Sequence, residues 1–129
     1  MIEILSGESI IDRKSRFQAH LARVHSTEEV TQFCDKLKQN NKIAKATHNI
    51  LAYKVGADGG HDSDGEDQAG RGLELLLSST GIDQIALVVT RWYGGVHLGS
   101  DRFRLINKVA RDLLHSQHLI VDGNTKKKK

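Results

Sequence analysis

Three residue types that favour binding stand side by side where an apolar run gives way to glycines. They are Arg91, Trp92 and Tyr93, and the glycines are Gly94 and Gly95. Arginine, tryptophan and tyrosine are the side chains most enriched among energetically dominant residues of protein–protein interfaces. The same aromatic rings stack on nucleic-acid bases while arginine contacts the phosphates. The segment therefore predicts a binding surface for a protein or an RNA partner. The alternative is that one aromatic ring caps the core of the sheet while the other is partly exposed.

The glycines of this segment have the spacing of a phosphate-binding loop but lack its lysine. Gly94 and Gly99 match the two glycines of a Walker A loop. That loop continues with a lysine and a hydroxyl residue, where this sequence has Ser100 and Asp101. Because the lysine is a main charge partner of a bound nucleoside triphosphate, we predict no cofactor. A structural turn, a protein-contact loop and an anion-binding loop are the remaining interpretations.

Two arginines lie in the first turn of a helix predicted to begin near Ser100. They are Arg102 and Arg104, and positive charge is unfavourable there because the helix dipole is itself positive at that end. The pattern predicts acidic partners for them elsewhere. The acidic loop, with Asp64, Glu66 and Asp67, is one source, and an external acidic surface is the other.

The same acidic loop resembles a calcium site only in part. With Asp62 and Asp64 at positions 3 and 5 of an EF-hand loop, a glycine falls correctly at position 6. Positions 1 and 12 would then be Gly60 and Arg71, where the EF-hand needs carboxylates. We therefore predict no metal site and interpret the segment as a solvated loop that caps the following helix.

The histidines and the single cysteine do not form a catalytic set. Cys34 lies on the apolar stripe of the first predicted helix, which predicts an inert core residue. His48 and His97 border the glycine turn, but no nucleophile motif of the Gly-x-Ser-x-Gly type accompanies them. We predict no catalytic residue, and a binding module in place of an enzyme.

Composition fits one domain with a nearly neutral body. The chain has 129 residues and a net charge of +3, but four of its nineteen basic residues are Lys126–Lys129, which leaves 15 basic against 16 acidic residues. A lone cysteine allows no internal disulfide, and the longest apolar run, Ile85–Val89, is far too short to span a bilayer. Met1–Ile10 lacks the features of a secretory signal. We predict a cytoplasmic protein without a membrane partner.

The elements that must position these residues follow from the apolar spacing. Alternation over Lys14–Val24 and a run over His48–Val55 predict strands, and Ile85–Val89 predicts a strand covered on both faces. Ser26 begins a helix that Asn40 ends, and Gln68–Ser79 forms a second helix. A kinked edge strand precedes them, a polar loop covers residues 56–67, and a third helix follows Ser100. The order β-β-α-β-α-β-α indicates one sheet with helices packed on it.

Several separated motifs resemble the IMPACT family, in the branch found in eukaryotes. They are Asp64-Gly65-Glu66 with Ala69-Gly70, Val88–Gly95 with Leu98-Gly99, Asp12–His20, Ala46–Ile50, and Asp101-Arg102-Phe103 with Ile106-Asn107 and Ala110-Arg111. The resemblance covers about residues 6–117. It implies an α+β fold like the second domain of ribosomal protein S5, a four-stranded sheet with helices packed on one face. We assign residues 1–119 to this domain, and the lysine run predicts that 120–129 form a disordered basic tail, with a phosphate-binding arm or a targeting signal as alternatives.

The resemblance further implies a role in translational control. Family members damp the pathway of the starvation-responsive initiation-factor kinase, and the domain seen here is linked to actin and to ribosomes. We therefore predict a protein-interaction module that regulates translation under stress, with RNA or ribosome binding through the Arg-Trp-Tyr-Gly-Gly turn as the alternative. The predicted partner-binding residues are Arg13, Lys14, His48, Asp64, Glu66, Arg91, Trp92, Tyr93, Gly94, Gly95, Asp101 and Arg102.

Overall fold

The structure is a computed structural model, and it describes residues 2–120. Six strands and four helices alternate along the chain. In order they are β1 (Leu5–Ser6), β2 (Ile10–Asp12), β3 (Ser15–Arg23), α1 (Thr27–Leu37), α2 (Asn41–Ala44), β4 (His48–Val55), β5 (Asp58–Asp62), α3 (Ala69–Thr80), β6 (Ile85–Trp92) and α4 (Asp101–Ser116).

All six strands form one antiparallel sheet in which β6 is central. The order is β1-β3-β6-β4-β5, and β2 continues the edge beside β1 by pairing with the first part of β3. Every residue of β6 from Ile85 to Arg91 is buried, because helices cover both faces of the sheet. This confirms the prediction, from its unbroken aliphatic run, that the strand is covered on both sides.

Two hydrophobic cores lie on opposite faces of this sheet. On one face α3 and α4 pack against β3, β4 and β6, with Phe17, Leu73 and Ile106 among the buried residues. On the other face α1 buries Val30 and Phe33 against alternate residues of β3 and β6. The expectation of four strands with all helices on one face is therefore wrong. The reason is that β6 has apolar side chains on both faces, so each face needs a cover.

The predicted helix boundaries are largely confirmed. Ser26 is the N-cap of α1, and its hydroxyl accepts a hydrogen bond of 3.2 Å from the Glu29 amide. Gly81 ends α3 in a left-handed conformation with φ +74°. The third predicted helix is α4, which begins at Asp101. Helix α1 ends at Leu37, before Asn40, which instead caps the short helix α2.

Two strand predictions were wrong in extent. The predicted loop over residues 56–67 contains β5, which is exposed along most of its length and includes two glycines. Such a strand has no apolar alternation to reveal it, and pairing with β4 stabilises it. Strand β6 continues to Trp92, three residues past Val89, so Arg91 and Trp92 lie in a strand and not in the glycine turn.

Residue Ile120 closes the described part of the chain and packs into the core with 8% of its surface exposed. The rest of the predicted tail, residues 121–129, lies outside the described residues. Within residues 2–120, none of the helices has both the length and the apolar character that crossing a bilayer requires.

Candidate functional site

An open cleft of about 320 Å³ lies where β4 begins and β6 ends. We call it the Glu66 cleft, after the carboxylate at its centre. Four chain segments line it: the start of β4, the loop before α3, the end of β6, and the turn that leads into α4. The lining residues are Thr47, His48, Glu66, Arg91, Tyr93, His97, Leu98, Gly99 and Arg102.

Strand register explains why these segments meet. His48 is paired directly with Arg91 across β4 and β6. The first residue of β4 therefore lies beside the next-to-last residue of β6. Phe17 of β3 is paired with Arg91 on its other side. Five of the twelve predicted site residues, His48, Glu66, Arg91, Tyr93 and Arg102, come together in this cleft.

Glu66 is the buried acceptor of two arginines. Its Oε2 accepts from Nη1 of Arg91, and its Oε1 accepts from Nε of Arg102 at 2.8 Å. Only 4% of Glu66 and 5% of Arg91 are exposed, so this ion pair is almost completely removed from water. The prediction of a partner in the acidic loop is thereby confirmed for Arg102, but it is wrong for Arg104, which pairs with Asp101 in the first turn of its own helix. Buried charges of this kind are tolerated only when they are paired and hydrogen-bonded.

The arginines also set the protonation of Glu66. Burial by itself raises the pKa of this carboxyl, but hydrogen bonds from Arg91 and Arg102, and the positive charge of Arg91, outweigh it and lower the pKa below its ordinary value. Glu66 is therefore a carboxylate at neutral pH. Since both of its oxygens are engaged, it neutralises the arginines and is poorly placed to accept a proton from a substrate.

The loop that presents Glu66 is held in an unusual backbone conformation. Asp64, Asp67 and Gln68 have φ values of +49°, +23° and +45°, a region that residues other than glycine seldom adopt. The Glu66 amide donates to the Ser63 carbonyl at 2.9 Å, and the Glu66 carbonyl accepts from the Ala69 amide at 3.0 Å. Strain concentrated in this way is typical of segments whose side chains must point in a fixed direction.

His48 is oriented by the same loop. Its Nδ1 lies 2.8 Å from the Asp64 carbonyl oxygen, and since a carbonyl can only accept, Nδ1 carries the proton. The other ring nitrogen, Nε2, lies 3.7 Å from Glu66 Oε2. His48 therefore presents Nε2 to the charged centre of the cleft.

Aromatic side chains form one wall of the cleft. The guanidinium carbon of Arg91 lies 5.4 Å from the ring centre of Phe17 and 5.6 Å from that of Tyr93, within the range of cation–π contacts. Tyr93 is 42% exposed, and its ring centre lies 5.7 Å from that of His97. Tyr93 and His97 therefore form an exposed rim above a buried, charged floor.

Trp92 lies on the opposite face of the sheet from Arg91 and Tyr93. Its indole Nε1 donates to the Lys42 carbonyl at 3.0 Å, and the guanidinium of Arg16 lies 5.2 Å from its ring centre. Of the two interpretations of this segment, a shared Arg-Trp-Tyr surface is therefore wrong, and the one in which one ring packs on the sheet core while the other is partly exposed is confirmed. Adjacent residues of a strand point to opposite faces, and β6 extends through Trp92.

The two glycines have structural roles outside the cleft. A β-carbon on Gly94 would overlap the Lys14 carbonyl oxygen and stand 2.6 Å from the Lys14 Cβ. The Gly94 amide donates to the Ser15 hydroxyl at 3.1 Å. Gly95 has φ +96° with open space around it, so its backbone conformation is what favours glycine there. The glycine turn thus packs against the turn between β2 and β3.

Three further predicted residues belong to surroundings other than the cleft. Arg13 and Arg104 both pair with Asp101, and Arg13 also pairs with Asp12 at 2.8 Å, in a cluster whose side chains are about one-third to two-thirds exposed. Hydrogen bonds from Arg104 and Arg13 lower the pKa of Asp101 to about 2. Asp64 turns its carboxylate to the amide of Asn49 at 2.7 Å. This hydrogen bond joins the loop to the start of β4.

Sequence reasoning missed four lining residues: Thr47, His97, Leu98 and Gly99. Thr47 precedes β4, and its hydroxyl accepts from the Tyr93 amide at 2.9 Å. Signals existed for His97, which borders the glycine turn, and for Gly99, which has the spacing of the second glycine of a phosphate-binding loop. Among the described residues, no group of three or more histidine, cysteine or acidic side chains is arranged to hold a metal ion.

Comparison with known proteins matches this chain to one family. Residues 13–114 match the Impact N-terminal domain. The "Protein IMPACT homolog" of Schizosaccharomyces pombe is 42% identical over 128 residues, which cover 95% of this chain and 44% of that protein. The homolog of Caenorhabditis elegans is 46% identical and covers 88% of this chain and 47% of its own length. The chain thus spans less than half the length of these relatives.

Two solved structures share the fold. The crystal structure of a hypothetical protein has a TM-score of 0.76 at 25% identity and covers 89% of this chain and 62% of its own. The structure of the two-domain translational regulator Yih1 has a TM-score of 0.57 at 33% identity, over 88% of this chain and 46% of Yih1. The matched residues 13–114 contain all the residues that line the Glu66 cleft, and the chain belongs to the IMPACT family through its Impact N-terminal domain.

Proposed function

We propose that this chain is a protein-interaction module of translational control, and that the Glu66 cleft is its partner-binding surface. The observation that carries the proposal is the exposed pair Tyr93 and His97 above the buried ion pair of Glu66 and Arg91. A tyrosine fixed over a rigid, charged floor is the kind of anchor on which protein interfaces concentrate their binding energy. Because the floor is already ordered, little entropy is lost when a partner binds.

The family supports translation as the setting. Yih1, which shares the fold, is described as a two-domain translational regulator. For this chain, damping of the starvation-responsive kinase pathway and association with actin or the ribosome are parts of the proposal. A cytoplasmic location belongs to it as well.

The proposal assigns binding and not catalysis to the cleft. The carboxylate of Glu66 is engaged by Arg91 and Arg102 on both oxygens, and a general base needs a free lone pair near its substrate. Among the lining residues, the hydroxyl of Thr47 accepts from the backbone amide of Tyr93, and no hydrogen bond joins it to the ring of His48 or His97 as a nucleophile and base pair would require.

RNA binding is the second candidate, supported by the resemblance to domain 2 of ribosomal protein S5, which itself stays a prediction. The position of Trp92 weakens it, because Trp92 packs on the face opposite Tyr93 and the two rings cannot stack on neighbouring bases together. The nearly neutral body of the chain weakens it further, since phosphate contacts supply most of the non-specific affinity for RNA.

Co-sedimentation with purified ribosomes and, separately, with actin filaments tests the proposal. We compare the full chain with a Tyr93→Ala, His97→Ala double variant and with Leu75→Ala as control, because Leu75 is 57% exposed on α3 and lies outside the cleft. We expect binding to one of the two partners that falls at least tenfold in the double variant and changes less than twofold in the control. Binding to neither, or equal binding by all three proteins, contradicts the proposal.

The RNA alternative is separated by a titration with single-stranded RNA at two salt concentrations. Binding that falls steeply with salt and is lost with Tyr93→Ala would replace the proposed protein partner by RNA. Binding lost only when Lys126–Lys129 are changed to glutamine would place the contact outside the cleft, as would equal affinity in the Tyr93→Ala variant.

A further inference from the structure

One donor in the floor of the Glu66 cleft has no acceptor. The Nε atom of Arg91 is buried and has no hydrogen-bond partner among the described residues. Only 6% of this side chain is exposed, so water has little access to it. A buried donor without an acceptor is unfavourable, and in native structures it commonly marks the place of an ion, a ligand or an ordered water. Arg91 therefore holds its charge in a setting that an additional acceptor would complete.

Positive charge also exceeds negative charge in the cleft. The two guanidinium groups of Arg91 and Arg102 are permanently charged, and Glu66 is the one carboxylate among the lining residues. Glu66 gives each arginine one oxygen, so it balances one of the two charges. The imidazole rings of His48 and His97 line the same space. The excess charge faces an opening of about 320 Å³.

Exposure decides which of these groups a ligand meets first. The side chain of Arg102 is 24% exposed and that of His48 is 18% exposed, against 6% for Arg91. A ligand entering past Tyr93 and His97 thus meets Arg102 first, and the buried Arg91, whose Nε lacks an acceptor, lies below it. Guanidinium groups match the oxygen pairs of carboxylates and phosphates in shape and charge.

We propose that the Glu66 cleft binds an oxyanion, a carboxylate or phosphate group carried by a side chain of the partner protein. This inference rests on the proposed function and names the chemical group that the cleft recognises. A polypeptide is the favoured carrier, because the excess charge is confined to one small cleft. A nucleic-acid backbone presents a row of phosphates and needs a basic stripe to match it.

Titration of the isotope-labelled full chain with sodium phosphate and with sodium acetate, followed by amide resonances, tests the ion site directly. We expect the amide resonances of Thr47, His97 and Gly99 to shift and to saturate with one or both ions. Acetamide, which is neutral, and sodium chloride at equal ionic strength are the controls. Shifts that stay linear with both ions, or that acetamide reproduces, would overturn the proposal.

Two arginines on one helix provide matched variants. Arg102→Gln removes a charge inside the cleft, and Arg111→Gln removes one from the exposed face of α4. Loss of a charge-assisted hydrogen bond is expected to weaken ion binding about tenfold, and we expect less than twofold for Arg111→Gln. His97→Ala, which leaves the arginines and Glu66 in place, is expected to weaken binding about threefold. Equal affinities of Arg111→Gln and His97→Ala would contradict the site, whether or not Arg102→Gln folds.

The carrier is tested with three peptides of one sequence that differ at a single position, which holds glutamine, glutamate or phosphoserine. We expect the glutamate or the phosphoserine peptide to bind at least tenfold more tightly than the glutamine peptide, and the tighter of the two identifies the oxyanion. Equal binding of all three peptides refutes the inference. Because the peptides and ions are measured without ribosomes or actin, a failure here is separate from a failure of the proposed function.

Discussion

Glu66 and Arg91 form an ion pair in which the two side chains are 5% and 6% exposed, at the floor of the cleft that we assign to partner binding. The pair joins the loop before α3 to the end of β6, and Arg102 extends it to α4. Three elements that are distant in sequence are thereby held together by one carboxylate.

Replacement of the Glu66 carboxylate tests how much it contributes to the stability of the fold. Glu66→Gln keeps the size of the side chain but leaves the charge of Arg91 unbalanced in a buried site, and removal of one partner of such a pair costs about 3–5 kcal/mol. We expect urea unfolding to show a loss of this order. Asp101→Asn, which breaks an ion pair of exposed side chains, should change stability far less. Equal losses in both variants would mean that Glu66 is not a buried anchor.

Gly94 is expected to tolerate no side chain. Gly94→Ala would place its β-carbon against the Lys14 backbone, so one of the two turns must move, and overpacking of this kind costs roughly 1–3 kcal/mol. Gly72→Ala is the matched control. It lies inside α3, and its new β-carbon would meet its nearest neighbour, Asn107 Nδ2, at 3.8 Å.

For the control, Gly72→Ala, helix propensity predicts that the free energy of unfolding rises by about 0.5–1 kcal/mol. Thermal unfolding of both variants decides between the two effects. Opposite shifts of Tm are the expected result, and an unchanged Tm for Gly94→Ala would show that the two turns can separate without loss.

His20 gives the stability a pH dependence. It is 2% exposed, and burial lowers its pKa from 6.5 to about 4. Below pH 6.5 the unfolded chain takes up a proton that the folded chain excludes, so stability is lost as the pH falls from about 6.5 to 4. A shift of this size corresponds to about 3 kcal/mol in total. The lowered pKa of Glu66 acts in the same direction at still lower pH.

Unfolding free energies measured at pH 7, 6 and 5 test this assignment. His20→Asn keeps a polar group near the Ser6 hydroxyl, which lies 2.8 Å from His20 Nδ1, but it cannot titrate. We expect the unfolding free energy of the variant to change less with pH than that of the wild type between pH 7 and 5. Parallel curves would show that another group is responsible.

Trp92 is expected to matter for stability and not for binding. Trp92→Phe keeps a ring beside Arg16 but loses the hydrogen bond to the Lys42 carbonyl. We expect this loss to lower the free energy of unfolding by about 1 kcal/mol. The affinity of the Trp92→Phe variant for ribosomes or actin should equal that of the wild type, because Trp92 faces away from the cleft. A loss of affinity as large as that of Tyr93→Ala would place the binding surface on both faces of the sheet.

The contrast between Trp92 and Arg102 shows what sequence reasoning could reach. The partner of Arg102 was foreseen because a positive charge at a helix start requires a compensating carboxylate. Which of Trp92 and Tyr93 packs on the core does not follow from the sequence, because the predicted strand ends at Val89. With three more strand residues, alternation alone would have put Trp92 opposite Arg91.

Other differences had no local signal. The apolar stripe of α1 shows that the helix is buried but not which face of the sheet it covers, since both faces of β6 are apolar. Strand β5 is built from glycines and exposed acidic residues, and only its partner β4 reveals it. Thr47 and Gly99 reached the cleft through the pairing of distant segments, which no spacing along the chain encodes.

Photo-crosslinking from the rim of the Glu66 cleft tests the central claim most directly. Position His97 is replaced by the photoreactive p-benzoylphenylalanine in the full chain, with the same replacement at Leu75 as control, and each protein is irradiated with purified ribosomes or actin filaments. We predict a defined crosslink to a ribosomal protein or to actin from position 97, and none from position 75. Crosslinks of equal yield from both positions, or from position 75 alone, would contradict the assignment of partner binding to the Glu66 cleft.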